Sequence, residues 1–215
     1  MLKKNKKLII VTTLITLLPI LMGLVLWNQL PDRVPTHFDI NGQPDNWGSK
    51  AFAVFGLPAF LAAVHLICTL ATAADPRKQN ISDKMYALVL WVCPITSVLM
   101  NSAIFLISLG KDINMSTICM IMVGAMFIIV GNYMPKCRQN YTIGIKLPWT
   151  LSDEDNWNKT HRMAGWLWMA VGVVFLVLAF LGKITLWLFF AAIFITVIIP
   201  TIYSFLYHLK KEKEQ

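Results

Sequence analysis

Asn132–Gly165, NYMPKCRQNYTIGIKLPWTLSDEDNWNKTHRMAG, is a polar, aromatic-rich stretch lying between two long apolar runs. A passive connector needs none of the shaped side chains it carries. Loops held by a rigid scaffold carry function more often than cores do. A loop whose Trp, Tyr, Lys and Arg sit at the headgroup level of a bilayer has the same residue types. Both readings stand at this point, and both make the flanking runs membrane spans.

Working outward, six stretches have the length and apolarity of a spanning helix: Leu8–Leu30, Ala51–Ala74, Met85–Gly110, Ile113–Pro135, Met163–Gly182 and Ile184–Leu209. None contains Asp, Glu, Lys or Arg. A helix needs roughly 20 such residues to cross a hydrocarbon core about 30 Å thick. Backbone groups in lipid must be satisfied within the segment, so these runs read as helices. A hydrophobic fraction of 57% and a mean hydropathy of +0.61 exclude an ordinary soluble domain among the 215 residues. The first run follows Lys3, Lys4, Lys6 and Lys7, but it is longer than a signal h-region of about 7–15 residues and leads into no small-residue cleavage site. It reads as an uncleaved anchor.

Six spans put both termini on one side, and the basic residues choose which. That side carries the four N-terminal lysines, Arg77, Lys78 and Lys84, then Lys136, Arg138, Lys146, Lys159 and Arg162, then Lys210, Lys211 and Lys213. The other side carries Arg33, Lys50, Lys111 and Lys183, so 15 of the 19 basic residues lie with the termini. The positive-inside rule makes that side cytoplasmic. The expected fold is an all-α integral membrane protein of six transmembrane helices, N-in and C-in, with a structured cytoplasmic loop between helices 4 and 5. The formal charge of +8 is then a topological signal, and no direct nucleic-acid binding is expected. The four cysteines form no CxxC pair and none falls in an outer loop, so buried space-filling is their expected role.

The loop between the first two spans, PDRVPTHFDINGQPDNWGSK at 31–50, is the second informative segment. Asn41-Gly42 between Phe38/Ile40 and a later aromatic predicts a small hairpin-like loop. His37, Asp39 and Asp45 bring imidazole and carboxylates close in sequence, yet their spacing matches no zinc pattern. Asp39 and Asn41 bonding their own backbone is the simpler role. With Gly42 and Trp47 these residues make the outer-loop ligand candidates. The next loop, Asp75–Lys84, reads as a plain turn with Ser82 starting a helix. Pro19 should bend the first span, while Pro58, Pro94 and Pro200, inside the second, third and sixth runs, are tolerated because neighbouring groups can satisfy the freed carbonyl. His65 is the ionisable residue nearest mid-span, best explained as a neutral imidazole bonded across helices.

In the central stretch, Ser152 followed by Asp153, Glu154 and Asp155 predicts a capped helix start near Asp153 that runs into the fifth span. Trp157 and His161 lie one turn apart on one face, packing Trp157 under the loop while presenting His161 and Arg162 to a partner. Neither GxSxG, HExxH, DxDxDG nor a phosphate-binding glycine loop occurs, so neither enzyme chemistry nor a cofactor or metal is expected. His161 with Asp153 or Asp155 is the weakest acid–base alternative.

NYMPK followed by RQNYTIGIKLPWTLSDEDNWNKTHRMAG closely resembles the cytoplasmic signature of the SdpI family of bacterial membrane proteins. VPTHFDINGQPDNWGSK looks like the N-terminal domain of unknown function found with it. The resemblance implies two membrane domains, 1–112 with three spans and the outer loop, and 113–215 with three spans and the motif loop at 132–165. It also implies immunity to a secreted membrane-active peptide toxin at the cell membrane, with signalling by capture of a cytoplasmic DNA-binding repressor. Carried over by position, the motif residues are Asn132, Tyr133, Pro135, Lys136, Arg138, Asn140, Tyr141, Gly144, Pro148, Trp149, Thr150, Trp157, Thr160, His161 and Gly165. Lys146 and Arg162 join them as basic groups available to a partner. The alternative from another class is a small exporter of a peptide or amphiphile, which the lack of intramembrane carboxylates disfavours.

Overall fold

The computed structural model describes residues 1–183 and 185–214. Ile184, where the last expected run begins, lies outside the described residues. Helix α1 is Lys6–Val25, and a hairpin of strands β1 (Arg33–Phe38) and β2 (Pro44–Ser49) follows. A π-helical turn at Phe52–Gly56 leads into α2 (Leu57–Ala73), then come α3 (Asp83–Ser108) and α4 (Met115–Tyr133). The short helix α5 (Pro148–Ser152) precedes α6 (Glu154–Phe180). Finally α7 (Leu186–Ile193) passes through a π turn at Phe194–Ile198 into α8 (Ile199–Lys213). Among the described residues, six helical stretches are long and apolar enough to cross a membrane: Lys6–Val25, Phe52–Ala73, Asp83–Ser108, Met115–Lys136, Glu154–Phe180 and Trp187–Lys213. They coincide with the six expected runs.

The chain forms two compact units, one of Met1–Ala73 with Tyr86–Cys119, the other of Ala74–Met85 with Met120–Gln215. In the first, α1 packs so closely on the π turn leading into α2 that a Cβ on Gly23 would stand 2.7 Å from the Val54 methyls. Its core gathers Leu30, Val34, Val54, Phe105 and Met115. Two polar contacts inside the spans join neighbouring helices. Thr12 Oγ1 lies 3.1 Å from His65 Nε2, and Ser97 donates to the Thr16 carbonyl at 2.7 Å. The first of these is the cross-helix role expected for His65.

In the second unit two glycine pairs set the distance between α4 and α6. A Cβ on Gly124 or Gly172 would come within 3.0 Å and 2.6 Å of the other's carbonyl oxygen, and Gly131 and Gly165 repeat this one heptad along each helix at 2.8 Å and 2.7 Å. Small residues let backbones approach where helix packing, not water exclusion, holds spans together. Met120, Val171, Phe175 and Ala192 fill the contact below.

Pro58 and Pro200 each follow a π turn by one residue. Leu57 N–H bonds back to the Phe52 carbonyl and Ile199 N–H to that of Phe194, each five residues away. The wider turn accommodates a ring that cannot donate to the residue four before it. For Pro200 that residue is Thr196, and its carbonyl accepts a bond from the Trp168 indole N–H at 3.0 Å.

Candidate functional site

After α4 a 3-10 turn at Met134–Lys136 ends the helix, and residues 137–147 run without regular structure until α5. A segment without ladder bonds must satisfy its backbone by other means. Here four buried side chains do it. Asn140, 1% exposed, accepts from the Thr142 and Ile143 N–H groups at 2.9 and 2.7 Å and donates to the Arg138 carbonyl at 2.8 Å. Thr150 accepts from Leu147 N–H at 2.9 Å and donates to the Ile145 carbonyl at 2.8 Å. The Trp157 indole, fully buried, donates to the Cys137 carbonyl at 2.7 Å. His161 stacks on Trp157 with ring centres 4.0 Å apart.

The His161 partners fix its tautomer. Nε2 receives the Ile145 backbone N–H at 2.9 Å and so carries no proton, while Nδ1 faces the Trp157 carbonyl at 2.8 Å and so must carry one. The ring is a neutral bracket joining helix to loop, with both nitrogens engaged. Gly144 shows why the loop passes so close. Its φ is +117°, and a Cβ there would stand 2.4 Å from His161 Nε2 and 3.0 Å from the Trp157 ring. Cys137 donates its thiol toward the Ile143 carbonyl at 3.5 Å, and burial pushes its pKa up to about 11 against the opposing Asn140 hydrogen bond. It is protonated at neutral pH and is no nucleophile.

This geometry corrects two expectations. His161 is 1% exposed and is not presented to a partner; Asn140, Thr150, Trp157 and Thr160 are likewise interior. The reason is that an irregular loop over a helix end needs its polar groups inside. Ser152 does not cap α6 either. It closes α5, and Asp153 is the cap, accepting from Asp155 N–H at 3.0 Å. Burial raises the Asp153 pKa, but the hydrogen bonds from Lys211 and from the Asp155 and Asn156 N–H groups outweigh it and hold the carboxyl below the usual range.

What remains at the surface is Asn132, Pro135, Lys136, Arg138, Tyr141, Lys146, Pro148 and Arg162, with Tyr133 and Trp149 half-buried. Lys136 lies over the Tyr133 ring at 5.0 Å, and Lys146 donates to the Thr142 carbonyl at 2.8 Å. The Arg138 and Arg162 guanidiniums have no hydrogen-bond or ion-pair partner among the described residues. Trp149 donates to Ser204 Oγ at 2.9 Å and lies beside Phe205 and His208. Asn156 donates to the Ser204 carbonyl at 2.9 Å, and Lys211 reaches Asp153 at 2.7 Å. The end of α8 is thereby clamped to the start of α6.

Sequence reasoning missed the turn that holds the loop from beneath. Asp75, 3% exposed, accepts from Tyr141 N–H at 2.9 Å and from the Thr142 hydroxyl, while its other oxygen takes Arg77 N–H at 2.7 Å. Asn80 donates to the Gln139 carbonyl at 2.7 Å, Arg77 to the Gln139 side-chain oxygen, and the Arg77 guanidinium covers Tyr141 at 4.9 Å. Gln139 Nε2 in turn serves the Thr150 and Leu151 carbonyls at the end of α5. The 75–84 segment is a bracket for the motif and not a plain turn. Ser82 does start α3, accepting from Met85 N–H at 3.3 Å.

The hairpin of the first unit places the outer-loop candidates. Asp39 accepts from Asn41 and Gln43 N–H at 3.0 and 2.8 Å, and chiefly the Gln43 bond lowers its pKa. This is the expected backbone role for Asp39, whereas the Asn41 side chain turns to Asp39 itself at 3.2 Å. Gly42 at φ +81° closes the turn. Asn114 caps α4 through Thr117 N–H at 2.9 Å and donates to the Asn41 carbonyl at 2.9 Å, pinning the tip. His37 Nδ1 meets Asp45 at 2.5 Å, and Trp47 is 46% exposed. Asp39 is thus separated in role from His37 and Asp45, and among the described residues no three His, Cys, Asp or Glu side chains gather as a metal site.

Comparison with known proteins agrees with the two segments singled out. Residues 136–204 match the SdpI/YfhL protein family, and residues 14–62 match a domain of unknown function, DUF1648. The chain is 27% identical over 213 residues to the Immunity protein SdpI of Bacillus subtilis (strain 168), covering 97% of each chain. No solved structure matches. With six spans, the bracketed loop and these matches in order along one chain, this is a multi-pass protein of the bacterial cytoplasmic membrane that is similar to the SdpI/YfhL family over residues 136–204.

Proposed function

We propose that the protein confers immunity on its host against a secreted membrane-active peptide toxin. The observation that carries this reading is the end-to-end match to a protein named for immunity, spanning 97% of both chains. The architecture is suited to binding: polar side chains in the motif segment are spent on holding backbone, and the groups left over are exposed cations and aromatic rings. Charge placement supports a topology with both termini and the 132–165 segment in the cytoplasm and the hairpin outside. The N-terminal half, 1–112, would then meet the toxin and the C-terminal half, 113–215, would report to the cytoplasm.

A signalling role rests on Arg138 and Arg162. Their exposed guanidiniums, unpartnered among the described residues, are available to carboxylates on a protein such as a DNA-binding repressor. Survival of a sensitive bacterium expressing the protein, challenged with a panel of secreted membrane-active peptides, tests immunity directly. Protection at confirmed membrane abundance supports it, and killing at the same concentration as the empty strain rejects it. Arg138→Ala with Arg162→Ala should release a captured repressor while leaving protection intact; joint loss of both activities would make the two arginines structural.

A further inference from the structure

Beneath the hairpin, within the first unit, lies a cavity of about 360 Å3 walled by Phe38, Leu57, Met100 and Met115 and reached by the side chains of Thr96 and Asn101. That volume is at the lower end of ligand clefts, enough for a few side chains and not for a whole peptide. Asn101 is 1% exposed, yet its amide is only half satisfied. Nδ2 donates to the Ser97 carbonyl at 2.8 Å, whereas Oδ1 has no partner among the described residues. A buried acceptor left unpaired is destabilising, and Leu at the same position would avoid that cost. Destabilising groups persist where function needs them, and Asn101 borders the cavity.

We infer that this cavity is the toxin-binding site, taking apolar side chains of the peptide together with one N–H or O–H donor that completes the hydrogen bonding of Asn101. The inference rests on the immunity reading and gives it a location. A lipid acyl chain matches the apolar walls but brings no donor. A peptide brings apolar groups and N–H groups on the same short length of chain. The rim suits entry from the hairpin side, because Thr36 and His37 border the cavity and His37 is largely solvent-exposed.

The test uses the full chain in native membranes and whichever peptide of the challenge panel the wild type protects against. Asn101→Leu should keep membrane abundance, since it removes the unpaired Oδ1 together with the Nδ2 bond to Ser97, and should lower the protected concentration at least about tenfold. The same peptide carrying a photoreactive diazirine leucine should crosslink in the wild type to Met100 or Met115, a readout that needs no variant. Full protection by Asn101→Leu, or crosslinks confined to residues outside the cavity, overturns the site while immunity stands. If Asn101→Leu fails to reach the membrane, the wild-type crosslinks decide. If the wild type protects against no peptide of the panel, the immunity reading falls and the site falls with it.

Discussion

The hairpin at 33–49 and the motif segment at 137–161 are both irregular insertions between spans, but they are held in opposite ways. The hairpin carries its own ladder, with Arg33 opposite Ser49 and Phe38 opposite Pro44, and is fastened at two points: Val34 in the apolar core and the tip on Asn114. The motif segment has no ladder. It is tied from inside by Asn140, Thr150, Trp157 and His161 and from below by Asp75. A ladder tolerates the loss of one side chain, whereas a segment hung on buried polar side chains loses a backbone partner with each one removed. Motif density here measures how much side chain replaces secondary structure.

The largest break should come at the centre of the motif. Trp157→Ala removes a fully buried ring, the indole bond to Cys137 and the support of His161 and Gly144, at a cost of about 3–5 kcal/mol. Thermal unfolding in detergent should shift sharply down, and limited proteolysis should cut at 137–147 while the hairpin stays resistant. Equal cutting of both would show that the two insertions are not independently held. Gly144→Ala should produce the same local signature with a smaller shift, of about 1–3 kcal/mol for the disfavoured φ alone.

Next in size is the bracket from the 75–84 segment. Asp75→Ala leaves the Tyr141 N–H and the Thr142 hydroxyl without their acceptor, for about 1–3 kcal/mol. Hydrogen exchange should accelerate at the Tyr141 amide while the hairpin amides are unchanged. The corresponding change in the hairpin, Asn114→Ala, removes a helix cap and the bond to the tip, about 0.5–2 kcal/mol. Its exchange effect should stay at residues 39–43 and the first turn of α4.

The spans and the hairpin were legible in the sequence because both are local signals: uncharged runs of spanning length, and an Asn-Gly turn beside an Asp. The motif residues were legible as a group, but not their side. Trp157 and His161 share a face by spacing, and spacing cannot say that Gly144 lies across that face and seals it. Asp75 and Gln139 were missed for a related reason. An acidic residue before proline looks like turn chemistry, and the backbone groups that need it lie more than sixty positions away. The glycine pairs 124/172 and 131/165 do carry a signal, a seven-residue spacing repeated on two spans, which a search for small-residue faces would have found.

The smallest effect separates charge from capping at the start of α6. Asp153 caps the helix through Asp155 N–H and pairs with Lys211, and its carboxyl is held below the usual range in the folded protein. A depressed carboxylate stabilises the fold above its unfolded pKa, near 3.9, and that contribution is lost as pH falls through the lower folded value. Asn caps a helix as well as Asp does, so Asp153→Asn removes the charge and keeps the cap. With both partners partly exposed, the pair should be worth less than about 1 kcal/mol at neutral pH. The wild type should therefore unfold slightly above Asp153→Asn at pH 7, and the two curves should converge as pH drops below 4. Because the hairpin carboxylate Asp39 is lowered chiefly by a backbone N–H and has no lysine partner among the described residues, Asp39→Asn should be insensitive to added salt, whereas the gap produced by Asp153→Asn should narrow with it. A gap at Asp153 that persists in high salt would assign the whole effect to hydrogen bonding, making the start of α6 and the hairpin turn alike in how they are held.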